Sequence, residues 1–253
     1  MFNLIDLSSF KKTPKNIDFK DLIVFENEDF ILINKPPFLS SLSERTGDKS
    51  ISISGFAKTY HPNIQLCHRL DKETSGIMIL AKNPEAYRHV SMQFEHREIK
   101  KEYHALVNGV HDLDSISVYL PIAILKDKTA VKIDRSRGKI AETVFFTEKK
   151  FHNHTLLRCF PITGRMHQIR VHLMCLEAPI VCDPTYNGDY IFLSQIKRKF
   201  NLKMETDELP LIKRVALHAK KISFKGLDGK VIEGEAPYAK DFEVLMKQLD
   251  KFS

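Results

Sequence analysis

His68-Arg69-Leu70-Asp71-Lys72-Glu73-Thr74-Ser75-Gly76 gathers an imidazole, two carboxylates and two cations directly ahead of Ile77-Met78-Ile79-Leu80-Ala81, a continuous apolar run. A charged loop feeding a buried strand lies at the margin of the core, where a side chain can be partly desolvated. A carboxylate there can serve as nucleophile, general acid or general base. The same residues also suit a plain turn in which Asp71 caps backbone donors and Arg69 is a surface charge. A second group is Gly164-Arg165-Met166-His167-Gln168-Ile169-Arg170-Val171-His172-Leu173. Wound as a helix at about 100° per residue, Met166, Ile169, Leu173 and Leu176 form an apolar stripe, with Arg165, Gln168 and His172 in a polar stripe beside it. Arg170 falls on the other flank, near the core. A guanidinium there needs an anion, because an unpaired buried charge is very costly and arginine grips carboxylates in a fixed fork. Asp71 is the expected partner; the alternative is that Arg170 snorkels to water.

Other chemistries fit less well. His167, His172, Cys175 and Cys182 match neither CxxC nor HxxxH spacing, so no metal site is expected. No GxSxG elbow, GxxxxGK[ST] loop or GxGxxG fingerprint is present. A small-molecule hydrolase using Asp71 or Ser75 would leave the basic surplus and the arginine-rich group unexplained.

The elements that must carry these groups read as follows. Leu22–Phe25 and Phe30–Ile33 flank Asn27-Glu28-Asp29 as a β-hairpin, stopped by Lys35-Pro36-Pro37 because proline cannot donate to a ladder. Residues 77–81 read as a strand buried on both faces. Asn83-Pro84-Glu85 opens a helix with a cap, a first-turn proline and a first-turn acid, and Tyr87, Val90 and Phe94 follow on one face. Residues 102–107 alternate as a half-buried strand, with further strands near 117–120, 141–147, 155–160 and 215–224. Residues 1–20, with Lys11, Lys12, Lys15 and Lys20, read as a polar arm. Residues 126–139 read as a basic loop or hairpin tip, either an RNA-backbone contact or a solvated loop. Residues 187–210 read as a surface excursion whose short helix carries Lys197-Arg198-Lys199. The whole is mixed α+β, one domain over 21–253 around a largely antiparallel sheet.

The chain has 253 residues, 39 Lys+Arg against 32 Asp+Glu, and a formal net charge of +7, which suits a polyanionic partner without proving one. No apolar run approaches the ~20 residues that cross a bilayer, and no secretory signal is visible. Four irregularly spaced cysteines point to a reducing, cytoplasmic setting. Monomer is the default expectation.

Taken together, these residues resemble the pseudouridine synthases of the RluA type. Phe30–Pro36 is similar to that family's strand ending in Asn-Lys-Pro, and His68-Arg69-Leu70-Asp71 with Thr74-Ser75-Gly76 to its catalytic motif. Lys100-Lys101-Glu102-Tyr103 is similar to its tyrosine motif, residues 164–172 to its late arginine motif, and Leu217-His218-Ala219 to its closing signature. The resemblance implies the pseudouridine synthase catalytic fold and conversion of uridine in RNA, ribosomal or transfer, to pseudouridine. It implies no metal and no nucleotide or redox cofactor. It implies Asp71 as the catalytic carboxylate, Arg170 as its partner, and Tyr103 as the ring stacked on the target base. Arg69 would fill the gap left by a flipped uridine. His68, Arg165, His167, Lys132 and Arg135 are expected RNA contacts. About twenty residues precede the first strand, too few for the S4-type module of many relatives, so substrate choice is expected to fall to the catalytic domain.

Overall fold

The structure is a computed structural model that describes residues 17–43, 51–198, 200–201 and 207–252. In chain order the elements are β1 (Ile23–Glu26), β2 (Phe30–Lys35), α1 (Ile53–Tyr60), β3 (Gln65–Leu66), β4 (Ser75–Ala81), α2 (Pro84–Glu95), β5 (Lys100–Asn108), β6 (Ile116–Ile124), β7 (Val131–Ile133), β8 (Lys139–Lys150), β9 (His154–Pro161), α3 (Gln168–Cys175), α4 (Leu193–Ile196), β10 (Leu217–Lys225), β11 (Val231–Glu235) and α5 (Lys240–Phe252). The strands form one mixed, mostly antiparallel sheet in the order β1-β2-β4-β10-β5-β9-β8-β6-β7, with β3 against β4 and β11 against β10. The β4–β10 pairing is parallel.

The apolar run at 77–81 becomes a central strand, and every residue of β4 is buried. Asn83 caps α2 through its side-chain oxygen, which accepts from the Ala86 N–H at 2.8 Å. Pro84 lies in the first turn, where its missing donor costs nothing. α2 seats Val90 against the core with Tyr87 and Phe94 partly buried beside it. A second core lies under α3 and α5, including Phe145, Leu157, Ile169, Leu173, Phe242 and Leu245. Tyr103 packs against both cores.

Four expectations change. Residues 102–107 are not half-buried: β5 lies between β10 and β9, and His104–Val107 are buried on both faces. The helix expected from Arg165 begins at Gln168, because His167 adopts a left-handed conformation (φ 51°) that ends the preceding turn. Its polar stripe is not wet: Gln168 and His172 are buried and bond to Thr143 Oγ1 at 2.9 and 3.0 Å. The polar arm ends sooner than residue 20, since Phe19 is buried and packs on Tyr60; Lys11, Lys12 and Lys15 lie outside the described residues. In the 187–210 excursion, Ile191 is fully buried. Its helix α4 stops before Lys197, and Lys199 lies outside the described residues.

Candidate active site

The segment between β3 and β4 carries Asp71 and is fixed at nearly every residue. His68 Nε2 accepts from the Ile79 N–H at 3.0 Å. Ser41 Oγ donates to the Leu70 carbonyl at 2.8 Å and accepts from its N–H at 3.1 Å. Buried Lys35 donates to the carbonyls of Pro36, Leu39 and Lys72 at 2.9, 2.9 and 3.2 Å. Fully buried Arg214 donates to the Glu73 carbonyl and to Ser75 Oγ, both at 3.0 Å, while its fork holds Asp241 at 2.7 and 2.9 Å. Buried Lys35 and Arg214 therefore grip this loop from behind, mostly by its carbonyls. Gly76 is required where the loop enters β4: its φ is +117°, and a Cβ would lie 2.1 Å from the Ala219 carbonyl oxygen.

Held this way, Asp71 points its half-buried carboxylate into a cleft of about 610 Å³. The cleft wall includes Arg69, Tyr103, Arg165, His167, Arg170 and Leu217. The Asp71 carboxylate accepts no hydrogen bond among the described residues. Its nearest partners, Arg170 Nη1 and His167 Nε2, both stand 3.7 Å from Oδ2. The turn-capping alternative thus lacks its bond, and both oxygens are open to a substrate.

Arg170 departs from expectation in an informative way. Its tight fork does not go to Asp71. Nε and Nη2 donate to fully buried Asp183 at 2.6 and 2.7 Å, and its guanidinium lies 5.0 Å from the Tyr186 ring centre. Nη1 is left facing Asp71. Burial works against the Arg170 charge, but bonding to Asp183 outweighs it and holds the pKa above the ordinary arginine value. Tyr186 also orders His167. The Val131 N–H donates to the Tyr186 hydroxyl at 2.9 Å, and that hydroxyl stands 3.0 Å from His167 Nδ1 and 3.4 Å from the Val131 carbonyl, either of which can take its proton. With the phenol donating to Nδ1, the imidazole proton sits on Nε2, facing Asp71. Burial lowers the His167 pKa despite the Asp71 charge, so the ring is neutral. Tyr103 is likewise neutral: burial, then the Asp71 charge, raise its phenol far above the usual value.

The expected RNA contacts fall in three places. Arg69 and Arg165 are exposed at the cleft. His68 lines it, but its Nε2 is committed to the backbone and burial lowers its pKa to about 3, which makes it a neutral prop for the loop. Lys132 and Arg135 stand exposed on the β7 hairpin outside the cleft wall, with Lys132 3.5 Å from Asp134. Ser75 is fully buried and bonded to Arg214 and His218, which rules it out as an exposed hydrolase nucleophile. Among the described residues, no group of three or more His, Cys, Asp or Glu is placed to hold a metal, and no helix is long and apolar enough to cross a membrane.

Comparison with known proteins follows the same residues. The family model described as RNA pseudouridylate synthase matches residues 29–174, which include Asp71, Tyr103 and Arg170. The chain is 34% identical to the dual-specificity RNA pseudouridine synthase RluA of Vibrio vulnificus, over 80% of this chain and 76% of that one. The chain belongs to the RluA-type family of RNA pseudouridine synthases. It is also 39% identical to the ribosomal large subunit pseudouridine synthase C of Buchnera aphidicola, covering 84% of this chain and 65% of the relative's length. Among solved structures, human RNA Pseudouridylate Synthase Domain Containing 4 superimposes with a TM-score of 0.67 at 25% identity, over 92% of this chain and 95% of that one. In this synthase, Asp183, Tyr186, Lys35 and Arg214 are site-building residues that the sequence did not single out. The signal available was weak: Asp183-Pro184 reads as an ordinary turn, and Lys35 as the end of a strand.

Proposed function

We propose that this synthase isomerises one or more uridines in structured RNA, with ribosomal RNA the first substrate to test, and that Asp71 is its catalytic carboxylate. The observation that carries this is Asp71 itself: a carboxylate on a rigid loop that accepts no hydrogen bond among the described residues and faces an arginine locked from behind. The N1–C1′ bond breaks, the base rotates, C5 bonds to C1′, a proton leaves C5 and N1 gains one. Asp71 attacks or deprotonates the nucleoside, Arg170 balances the charge, and neutral Tyr103 stacks on the base and assists the proton transfer at C5. Arg69 at the rim fills the space of the flipped nucleotide, and unstacking costs a few kcal/mol that backbone contacts offset. Arg165, His167, Lys132 and Arg135 extend the RNA footprint. This chemistry needs no metal or cofactor, and we read the enzyme as a cytoplasmic monomer. The support for ribosomal RNA is the name of one relative above, the ribosomal large subunit pseudouridine synthase C of Buchnera aphidicola.

The test is tritium release from ribosomal RNA carrying 5-tritiated uridine, because C5 loses its hydrogen in the product. The wild type should release tritium. Asp71→Asn should be slower by at least about a thousandfold while still binding RNA. Binding without release by the wild type would favour an RNA-binding or RNA-folding protein instead.

A further inference from the structure

Lys101 stands two residues before Tyr103 on the same face of β5, about 7 Å along the strand, and both line the cleft. The other enclosed basic groups of the site have close partners: Arg170 forks onto Asp183, Arg214 onto Asp241, and Lys35 donates to three carbonyls. Lys101 is not. Among the described residues no carboxylate pairs with it. Its one polar contact is the Thr163 carbonyl at 3.5 Å, longer than a good N–H···O bond. Burial pulls its pKa down to about 8, so the ammonium is held away from water without an anion to compensate. Its other neighbour is Phe94, at the end of α2, whose ring centre lies 6.0 Å from Nζ. Phe94 is braced by His68, the ring centres being 5.0 Å apart. An aromatic ring beside an uncompensated cation is the pairing that holds single-stranded nucleic acid, the ring taking a base and the cation a phosphate.

We propose that Lys101 and Phe94 form a subsite for the nucleotide adjacent to the target uridine, Lys101 binding its phosphodiester and Phe94 its base. This rests on the RNA substrate proposed above. The spacing supports it: with the target base on Tyr103, the next unstacked nucleotide reaches one strand step away, onto Lys101. The subsite also accounts for a costly feature of the fold, a desolvated lysine that no carboxylate among the described residues neutralises.

The experiment pairs Lys101→Met with RNAs in which one phosphate at a time, flanking the target, is a neutral methylphosphonate. Affinity and tritium release are both measured. For the wild type, one methylphosphonate position should weaken binding about tenfold and raise KM with kcat nearly unchanged. Lys101→Met should show that loss on natural RNA, lose nothing more at that position, and have a salt dependence shallower by about one. Lys101→Arg, which keeps the charge, should restore most of the affinity. Phe94→Leu paired with an abasic neighbour should be non-additive in the same way. Losses that multiply at every position, or Lys101→Met binding like the wild type, would overturn the subsite. A wild type that binds RNA but releases no tritium would refute the isomerase reading, while the affinities would still decide the subsite.

Discussion

Arg170 gives two nitrogens to Asp183 and turns the third toward Asp71, so under the proposed mechanism the geometry of the pair depends on a carboxylate fully buried behind the cleft. That makes Asp183 a positioning residue in the proposal. Asp183→Asn keeps an acceptor for the guanidinium but removes the charge that fixes the fork. It should lower kcat about 10- to 100-fold with KM for RNA nearly unchanged; steady-state kinetics with an unaltered kcat would contradict the assignment. Asp183→Ala would strand a buried arginine and should cost about 3–5 kcal/mol of stability, read by denaturant unfolding. The helical wheel was right that Arg170 sits against the core and needs an anion. It could not rank Asp71 above Asp183, because both are distant in sequence or across a turn, and only the tertiary path of residues 176–183 brings Asp183 under the guanidinium.

Among the elements, the approach of β4 to β10 sets where Asp71 emerges. Only a residue without a side chain fits at Gly76, where both the positive φ and the Ala219 carbonyl exclude a Cβ. Gly76→Ala should lower the unfolding temperature by more than roughly 10 °C, since a single kcal/mol already shifts a domain of this size by about 2–4 °C; a change within about 2 °C would mean that the strands do not meet this closely. The strands and α2 were legible from local pattern because apolar runs and the Asn-Pro-Glu cap are local signals. What pattern could not show is non-local. The double burial of β5 comes from its neighbours in the sheet, not from its own alternation. The true start of α3 is set by His167, whose left-handed backbone is held by a bond to Tyr186, nineteen residues on. Phe94 reads in sequence as a core residue of α2, and its place at the cleft emerges only once β5 packs beside it.

Across the molecule, burial lowers the pKa of several histidines and holds them neutral, with His68 and His218 lowered to about 3 and His172 to about 4. The unfolded chain takes up protons near pH 6.5 that the folded chain refuses. The contribution of these rings to stability is therefore full above pH 6.5 and is lost as the pH falls toward 4. The thermal unfolding midpoint should fall steadily below pH 6; an unchanged midpoint between pH 7 and 5 would show that these rings are not buried neutral. Exposed Arg69 and Arg165 at the cleft and Lys132 and Arg135 on the β7 hairpin are cations that can guide RNA toward a single carboxylate. That carboxylate is the account's central claim. The direct measurement is carbodiimide mapping of pseudouridine in total RNA from cells carrying either the natural gene or Asp71→Asn. At least one modified uridine should vanish in the variant while the protein remains folded and abundant. An identical pseudouridine map in the two strains would contradict the role given to Asp71.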